Sequence, residues 1–448
     1  MFTRRTLLER FLKGSSLIAA GPLVPGFLAS TARAASPGEE TILVVLELTG
    51  GNDGLNTIVP YADDQYQRAR PTLKLAKEQV VRLDDQLGLN PGLRGLELLL
   101  SADQVAIVQG VGYPNPDRSH FESMDIWQSA DPSRTTGNGW LGRGLGSLSS
   151  PSSAVPGIHV GASGLPMALR GPSATVPTVH PSRPFDLELA PGGPSSSNND
   201  PFGQIRFSNP GRQAAPRPSG DDPHLAPRRR LIEELAELAP QGDPLQRFVR
   251  RSTLQTYEAV ERIREIVGAD RSGNGSIPFD PRRGSNRDGL GQDLQLVADL
   301  IAAELGTRIF YVSQPGYDTH AGQLSTHEQL LRQLGDSVAG FFQRLEQSGH
   351  ARRVLLLTFS EFGRRVQENG SQGTDHGAAS CQFLIGPAVQ GGVIGRHPAL
   401  NPDQLEAGDL KHHTDFRQVY ATLLEGWLGC DSKEVLGDSF EPLPLLRF

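Results

Sequence analysis

The first clear pattern along the chain is Thr41-Ile-Leu-Val-Val-Leu-Glu-Leu48, a nearly continuous apolar run ending in Thr-Gly-Gly-Asn-Asp. Such a run predicts a strand buried on both faces, as in a parallel sheet. A helix over 92–101, a strand from Gln104 to Gln109 and a helix over 119–130 come next, a βαβ rhythm. The second half repeats it. Asp243-Pro244 opens a helix whose apolar stripe runs from Leu245 to Val267 before Gly268. A helix over 292–305 feeds the strand Arg308 to Val312, and Ser325-x-x-Glu328 reads as a capping box opening a helix to about 347. The strand Val354 to Phe359, a strand Gln382 to Ile385 and a last helix over 416–428 complete the pattern. The expected fold class is a layered α/β/α domain with a mainly parallel central sheet.

Between these elements the pattern fails twice. Residues 181–227 hold Gly or Pro at roughly a third of positions, and 273–291 are similar. Both read as loop-rich insertions in one large α/β domain over 35–448, either linkers or a rim over a site. They account for part of the excess of 51 Gly and 34 Pro, which follows no collagen-like period. With 37% hydrophobic and 21% charged residues, the chain fits a soluble globular protein. A net charge of −7 argues against a nucleic-acid-binding surface.

Residues 1–34 read as a twin-arginine export signal. Thr3-Arg4-Arg5-Thr6-Leu7-Leu8 precedes the apolar run Ser15 to Ser30, and Ala32-Arg33-Ala34 offers a cleavage site. Gly21, Pro22, Pro25 and Gly26 interrupt a run already short for a membrane span. The expectation is a periplasmic or secreted protein, carried by the twin-arginine machinery and without stable membrane insertion after cleavage. Its two cysteines, Cys381 and Cys430, are open to one disulfide or to two separately buried thiols.

Ligands of an open parallel sheet bind beyond the carboxyl ends of its strands, so the loops there are the candidate site. Four are rich in chemistry. Thr49 to Thr57 carries Asp53 among glycines, a possible metal ligand or a turn with an Asx hydrogen bond. Asp117-Arg118-Ser119-His120-Phe121-Glu122 contains a capping box from Ser119 to Glu122. It also puts a hydroxyl at a helix N-terminus, where anions are favoured, beside Arg118, which could clamp one. Gly316-Tyr317-Asp318-Thr319-His320 pairs a carboxylate and an imidazole, both ligands for zinc or manganese. Ser360-Glu361-Phe362-Gly363-Arg364 leads to Gly373-Thr374-Asp375-His376-Gly377. His120, His320, His376 and the pair His412-His413 lie in loops beside acids or helix starts, which points to a coordinated metal. Gly137 to Gly142 matches GxGxxG but lacks the preceding strand, and no GxxxxGK[ST], HExxH or GxSxG occurs.

Taken together, Glu47 to Thr57, Arg118-Ser-His-Phe121, Gly316 to His320, Phe359 to Arg364 and Gly373 to Gly377 resemble the domain of unknown function 1501 family. That family is grouped with the alkaline phosphatase and sulfatase superfamily. The resemblance implies an alkaline-phosphatase-like fold with bound divalent metal ions: zinc, manganese or calcium. Position by position, it implies Asp53, Asp318, His320, Asp375, His376 and one of His412 or His413 as metal ligands. Glu361 is a further candidate, Ser119 takes the nucleophile's place, and Arg118 grips the substrate's oxygens. The chain departs from the superfamily pattern where Glu361-Phe362 stands in place of a strand-end Asp-His. Neither cysteine lies in a C-x-P-x-R sequence, so an ordinary sulfatase does not fit. The expected function is an exported two-metal hydrolase of phosphate or related oxyanion esters, with a small-molecule or glycan ester as substrate. The competing expectation is a non-catalytic member with a decayed site that binds glycans or another protein. A third is a single structural metal without turnover.

Overall fold

The computed structural model describes residues 40–148, 155–171, 176–181, 262, 263, 265, 266 and 289–447. The export signal expected over 1–34, nearly all of the two loop-rich stretches and most of the helix expected over 243–267 lie outside the described residues. Among the described residues, nine strands form one sheet: β1 (Ile42–Thr49), β2 (Val105–Gly112), β3 (Gly157–Val160), β4 (Thr178–Val179), β5 (Ile309–Pro315), β6 (Val354–Phe359), β7 (Ser380–Ile385), β8 (Gly392–Ile394) and β9 (Thr414–Asp415). Their order is β8-β2-β7-β6-β1-β5-β3-β4, with β9 also pairing β2. Every pairing is parallel except those of β7, which runs antiparallel to both β2 and β6.

The apolar run of β1 explains the layers. Successive side chains point to opposite faces. Ile42, Val44, Leu46 and Leu48 join one core with α3 (Gly289–Ala302) and α4 (Gln323–Gln347). Leu43 and Val45 join a second core with α1 (His120–Ser129), α2 (Trp140–Leu148) and α5 (Phe416–Leu423). The sheet is therefore covered on both sides, as the sequence pattern predicts.

Several boundaries differ from expectation. α3 starts at Gly289, inside the stretch read as an insertion, because Leu290 already packs into the core. α4 starts at Gln323, so Ser325 lies inside the helix and no side chain caps it. Its first N–H groups are met instead by the carbonyls of Ser371 and Gln372. The last helix gives way after Leu423 to a wide turn over Leu424–Leu428. Cys381 and Cys430 are both free and buried, so no disulfide joins them.

β1, β5 and β6 are parallel and in near register, Thr49 facing Pro315 and Glu47 facing Phe359. β2 runs the same way, being antiparallel to β7 as β6 is. All four chemistry-bearing loops therefore leave the sheet at one edge.

Candidate metal centre

At that edge the first loop needs glycine. Gly50 and Gly51 have φ of +120° and +80°, and a Cβ on Gly50 would sit 2.4 Å from the Asp318 nitrogen. The close approach brings the β1 loop against Asp318, and Arg364 locks the arrangement. Its fully buried guanidinium donates from Nε to the Gly51 carbonyl (2.7 Å) and from Nη1 to that of Thr374 (2.8 Å). Nη2 donates to the carbonyls of Gly50 and Tyr317 and to Asp318 Oδ1 (2.8 Å). One side chain thus holds three of the four loops.

His120, Asp318 and His376 come together there, each offering one ligand atom within 4.8 Å of the others. Asp318 Oδ2 lies 3.6 Å from His120 Nε2, and Oδ1 lies 3.2 Å from His376 Nε2. His320 adjoins them, its Nε2 3.1 Å from Asp318 Oδ1 and 2.9 Å from His376 Nε2. Phe362, itself buried, packs against the rings of His120 and His376.

The proton positions follow from the other ring nitrogens. His376 Nδ1 is 2.8 Å from the Arg118 carbonyl, which only accepts, so Nδ1 carries the hydrogen. His120 Nδ1 donates likewise to Glu361 Oε1 at 2.9 Å, and His320 Nδ1 to Asp375 Oδ1 at 3.3 Å. Each neutral ring then has its lone pair on Nε2, and all three face the Asp318 carboxylate. Nitrogen lone pairs 2.9 Å apart beside a carboxylate repel unless a proton or a metal cation lies between them. This donor set fits a divalent ion of the zinc type, with outer partners fixing each ring.

Charge in the site follows the same contacts. Burial would raise the Asp318 pKa, but the hydrogen bond and charge of Arg364 hold it down at about 2. The hydrogen bond to Glu361 raises the pKa of His120. Partial burial lowers that of His376, with the Arg364 and His120 charges adding to it. The cluster stays open to solvent, with side-chain exposures of 48% for Asp318 and 22% for His376.

The other expected ligands do other work. Asp53 is fully buried and paired with the equally buried Arg70. It also accepts from the backbone of Leu55 (3.1 Å) and Asn56 (3.3 Å) and from Gln323, making it the cap of a single helical turn, Gly54–Thr57. Burial alone would raise its pKa; the Arg70 charge and hydrogen bond keep it lowered. A carboxylate so committed has no lone pair left for a metal. Glu361 accepts from Gly50 N and His120 and faces Ser360, while Asp375, half exposed, meets His320 and Asn369 through Oδ1. Both carboxylates steady imidazoles. His412 and His413 lie elsewhere: β9 draws them along β2, the His413 ring rests on Gly110, and its Nε2 meets the Arg396 carbonyl at 2.7 Å. Among the described residues one group of three ligating atoms lies within 4.8 Å, that of His120, Asp318 and His376.

Arg118 is also corrected as an oxyanion clamp, because its guanidinium pairs with the buried Asp409. Ser119 does stand at the N-cap of α1, but its side chain makes no cap bond; Glu122 pairs with Arg134 instead. The sequence singles out His120 only as one of five loop histidines and gives the chemistry of its segment to its two neighbours. The clustering of histidines beside acids is the signal that points to it.

Solved structures with some likeness include a protein in the alkaline phosphatase superfamily from Vibrio parahaemolyticus, 9% identical, TM-score 0.35, over 90% of this chain and 70% of that one. The lipoteichoic acid synthase LtaP from Listeria monocytogenes is 8% identical, TM-score 0.35, over 92% and 82%. Ps i-CgsB is 10% identical, TM-score 0.32, over 90% and 73%. No curated protein matches the sequence. The family model described as "Protein of unknown function (DUF1501)" matches residues 209–439, more than half of the chain, and the chain belongs to that family.

Proposed function

We propose that the chain is an exported, metal-dependent hydrolase of phosphate or related oxyanion esters. The observation that carries this reading is the convergence of His120, His320 and His376 Nε2 on Asp318, in the open, at the carboxyl edge of a mainly parallel sheet. A divalent ion held by His120, Asp318 and His376, with His320 beside it, would supply Lewis-acid stabilisation of charge on the ester oxygens. Ser119 is the candidate nucleophile. Its hydroxyl is spared from capping, and it stands at the N-terminus of a ten-residue helix, where backbone N–H groups favour an anion. The twin-arginine start supports export, and none of the described helices is long and apolar enough to cross a membrane.

A second reading is a member that binds a metal without turnover and uses its surface to bind a glycan or protein. It is favoured by the engagement of Arg118 with Asp409, which leaves no clamp for the ester oxygens where one was expected. Metal analysis and turnover separate the two readings. The hydrolase reading requires about one zinc or manganese ion per chain. It also requires hydrolysis of an aryl phosphate or diester, lost in both His376→Ala and Ser119→Ala. Metal without turnover supports the second reading, and metal below about 0.2 per chain removes both.

A further inference from the structure

The three imidazoles of the cluster are held in three unlike ways. His376 Nδ1 donates to a neutral backbone carbonyl, and His320 to Asp375, an exposed carboxylate at 3.3 Å. His120 donates to Glu361, a carboxylate with 0% exposure, at 2.9 Å. A hydrogen bond to an ion is stronger than one to a neutral acceptor, and burial strips away the water that would screen it. An exposed pair such as His320–Asp375 is worth little by comparison.

The oxygens of Glu361 can be accounted for. Oε1 accepts from Gly50 N at 2.8 Å and from His120, and Oε2 faces the Ser360 hydroxyl at 3.1 Å. No Lys or Arg forms an ion pair with it among the described residues, and the one basic side chain against it there is the His120 ring. A buried carboxylate without a nearby positive charge is costly. The positive charge that relieves it is one drawn to the far side of the His120 ring, at Nε2, where Asp318 also points.

We infer that Glu361 is a positioning residue: acting through His120, it sets the affinity of the cluster for a divalent cation and is the strongest of the three anchors. The inference rests on the metal-site reading proposed above. It gives Glu361 a role distinct from ligation, because the carboxylate orients and polarises a ligand without touching the ion.

The test uses the full chain and Zn²⁺ affinity measured by competition with a chromophoric chelator, with Co²⁺ as the spectroscopic probe. Glu361→Gln should weaken Zn²⁺ binding about 10- to 100-fold. Asp375→Asn should change it by less than about threefold. In a His120→Ala background, Glu361→Gln should cost nothing further, since its effect passes through that ring. The visible spectrum of bound Co²⁺ should keep its band positions and intensity in Glu361→Gln, the ligand set being unchanged. A displaced Co²⁺ spectrum would make Glu361 a ligand and overturn the inference. So would wild-type affinity in Glu361→Gln, or an equal loss with and without His120. A wild-type chain that binds neither ion overturns the metal reading itself, which is a different result. If Glu361→Gln does not fold, the ¹⁵N histidine spectrum of the wild-type chain decides. The hydrogen on His120 is expected at Nδ1, and finding it at Nε2 overturns the inference.

Discussion

At the scale of single residues, most of the charged chemistry that the sequence advertises near the site is structural. Asp53 is surrounded by glycines like a ligand, yet Arg70, seventeen positions on, consumes it. Nothing in local spacing announces such a partner, whereas the alternative reading of Asp53, a turn with an Asx hydrogen bond, is local and was legible. The same holds for Arg118 and Asp409, brought together across 291 positions. His327 is a further case. It is buried, donates from Nε2 to Asn52 Oδ1 at 2.9 Å, and its Nδ1 has no hydrogen-bond partner among the described residues. Burial, with the charges of Arg70 and Arg364, pushes its pKa down to about 4 against the opposing charge of Asp53. A histidine neutral in the fold but ready to protonate when unfolded binds more protons in the unfolded state. Its contribution is therefore complete above pH ~6.5 and is lost as pH falls toward 4. His327→Gln keeps a donor for Asn52 and has no charge to bury. Its urea-unfolding free energy should fall between pH 7 and pH 5 by about 2 kcal/mol less than that of the wild type. Parallel pH dependences would show that His327 does not titrate in this way.

At the scale of elements, legibility tracked burial. β1 and β6 are continuous apolar runs between polar loops, and both appear within a residue of expectation. Helix starts were harder to read, because α4 takes its first hydrogen bonds from the carbonyls at 371 and 372, a partner no capping motif encodes. The turn after β1 shows how an element reaches the site. Gly50→Ala would place a methyl group against the backbone of Tyr317 and Asp318 in a conformation that an L residue rarely adopts. The expected outcome is weaker Zn²⁺ binding, by tenfold or more, with far-ultraviolet circular dichroism unchanged. The displaced part is the loop carrying Asp318, while the sheet keeps its cores. Unaltered zinc affinity would show that the loop tolerates the methyl group.

At the scale of the whole molecule, the layered α/β/α arrangement followed from alternation of apolar runs, and the four strand-end loops expected to carry the site leave the sheet at one end. Which side chains would meet was less legible, because the meeting depends on three loops being drawn in together by Arg364. Arg364→Met would leave the carbonyls of Gly50, Gly51, Tyr317 and Thr374 without this donor and Asp318 without its cation. Removing one partner from such a buried network should cost about 3–5 kcal/mol in denaturant unfolding. Arg364→Lys keeps the charge but loses the planar fork, and should recover only part of that loss. Full recovery by lysine would show that charge alone matters.

The way the cluster is assembled also bears on where an ion held there would come from. His120 and its anchor Glu361 are 241 positions apart, Asp318 arrives on a third loop, and His376 comes from farther along the loop of Glu361. An extended chain offers no such group of ligands, so capture must wait for folding. Nitrogen and oxygen sites of this kind hold copper more tightly than zinc or manganese, and intrinsic preference therefore does not select the ion. Selection falls to whichever pool bathes the protein when the sheet closes. On the export reading, a twin-arginine passenger crosses already folded, so the cytoplasm would choose the metal and the outer compartment would inherit it.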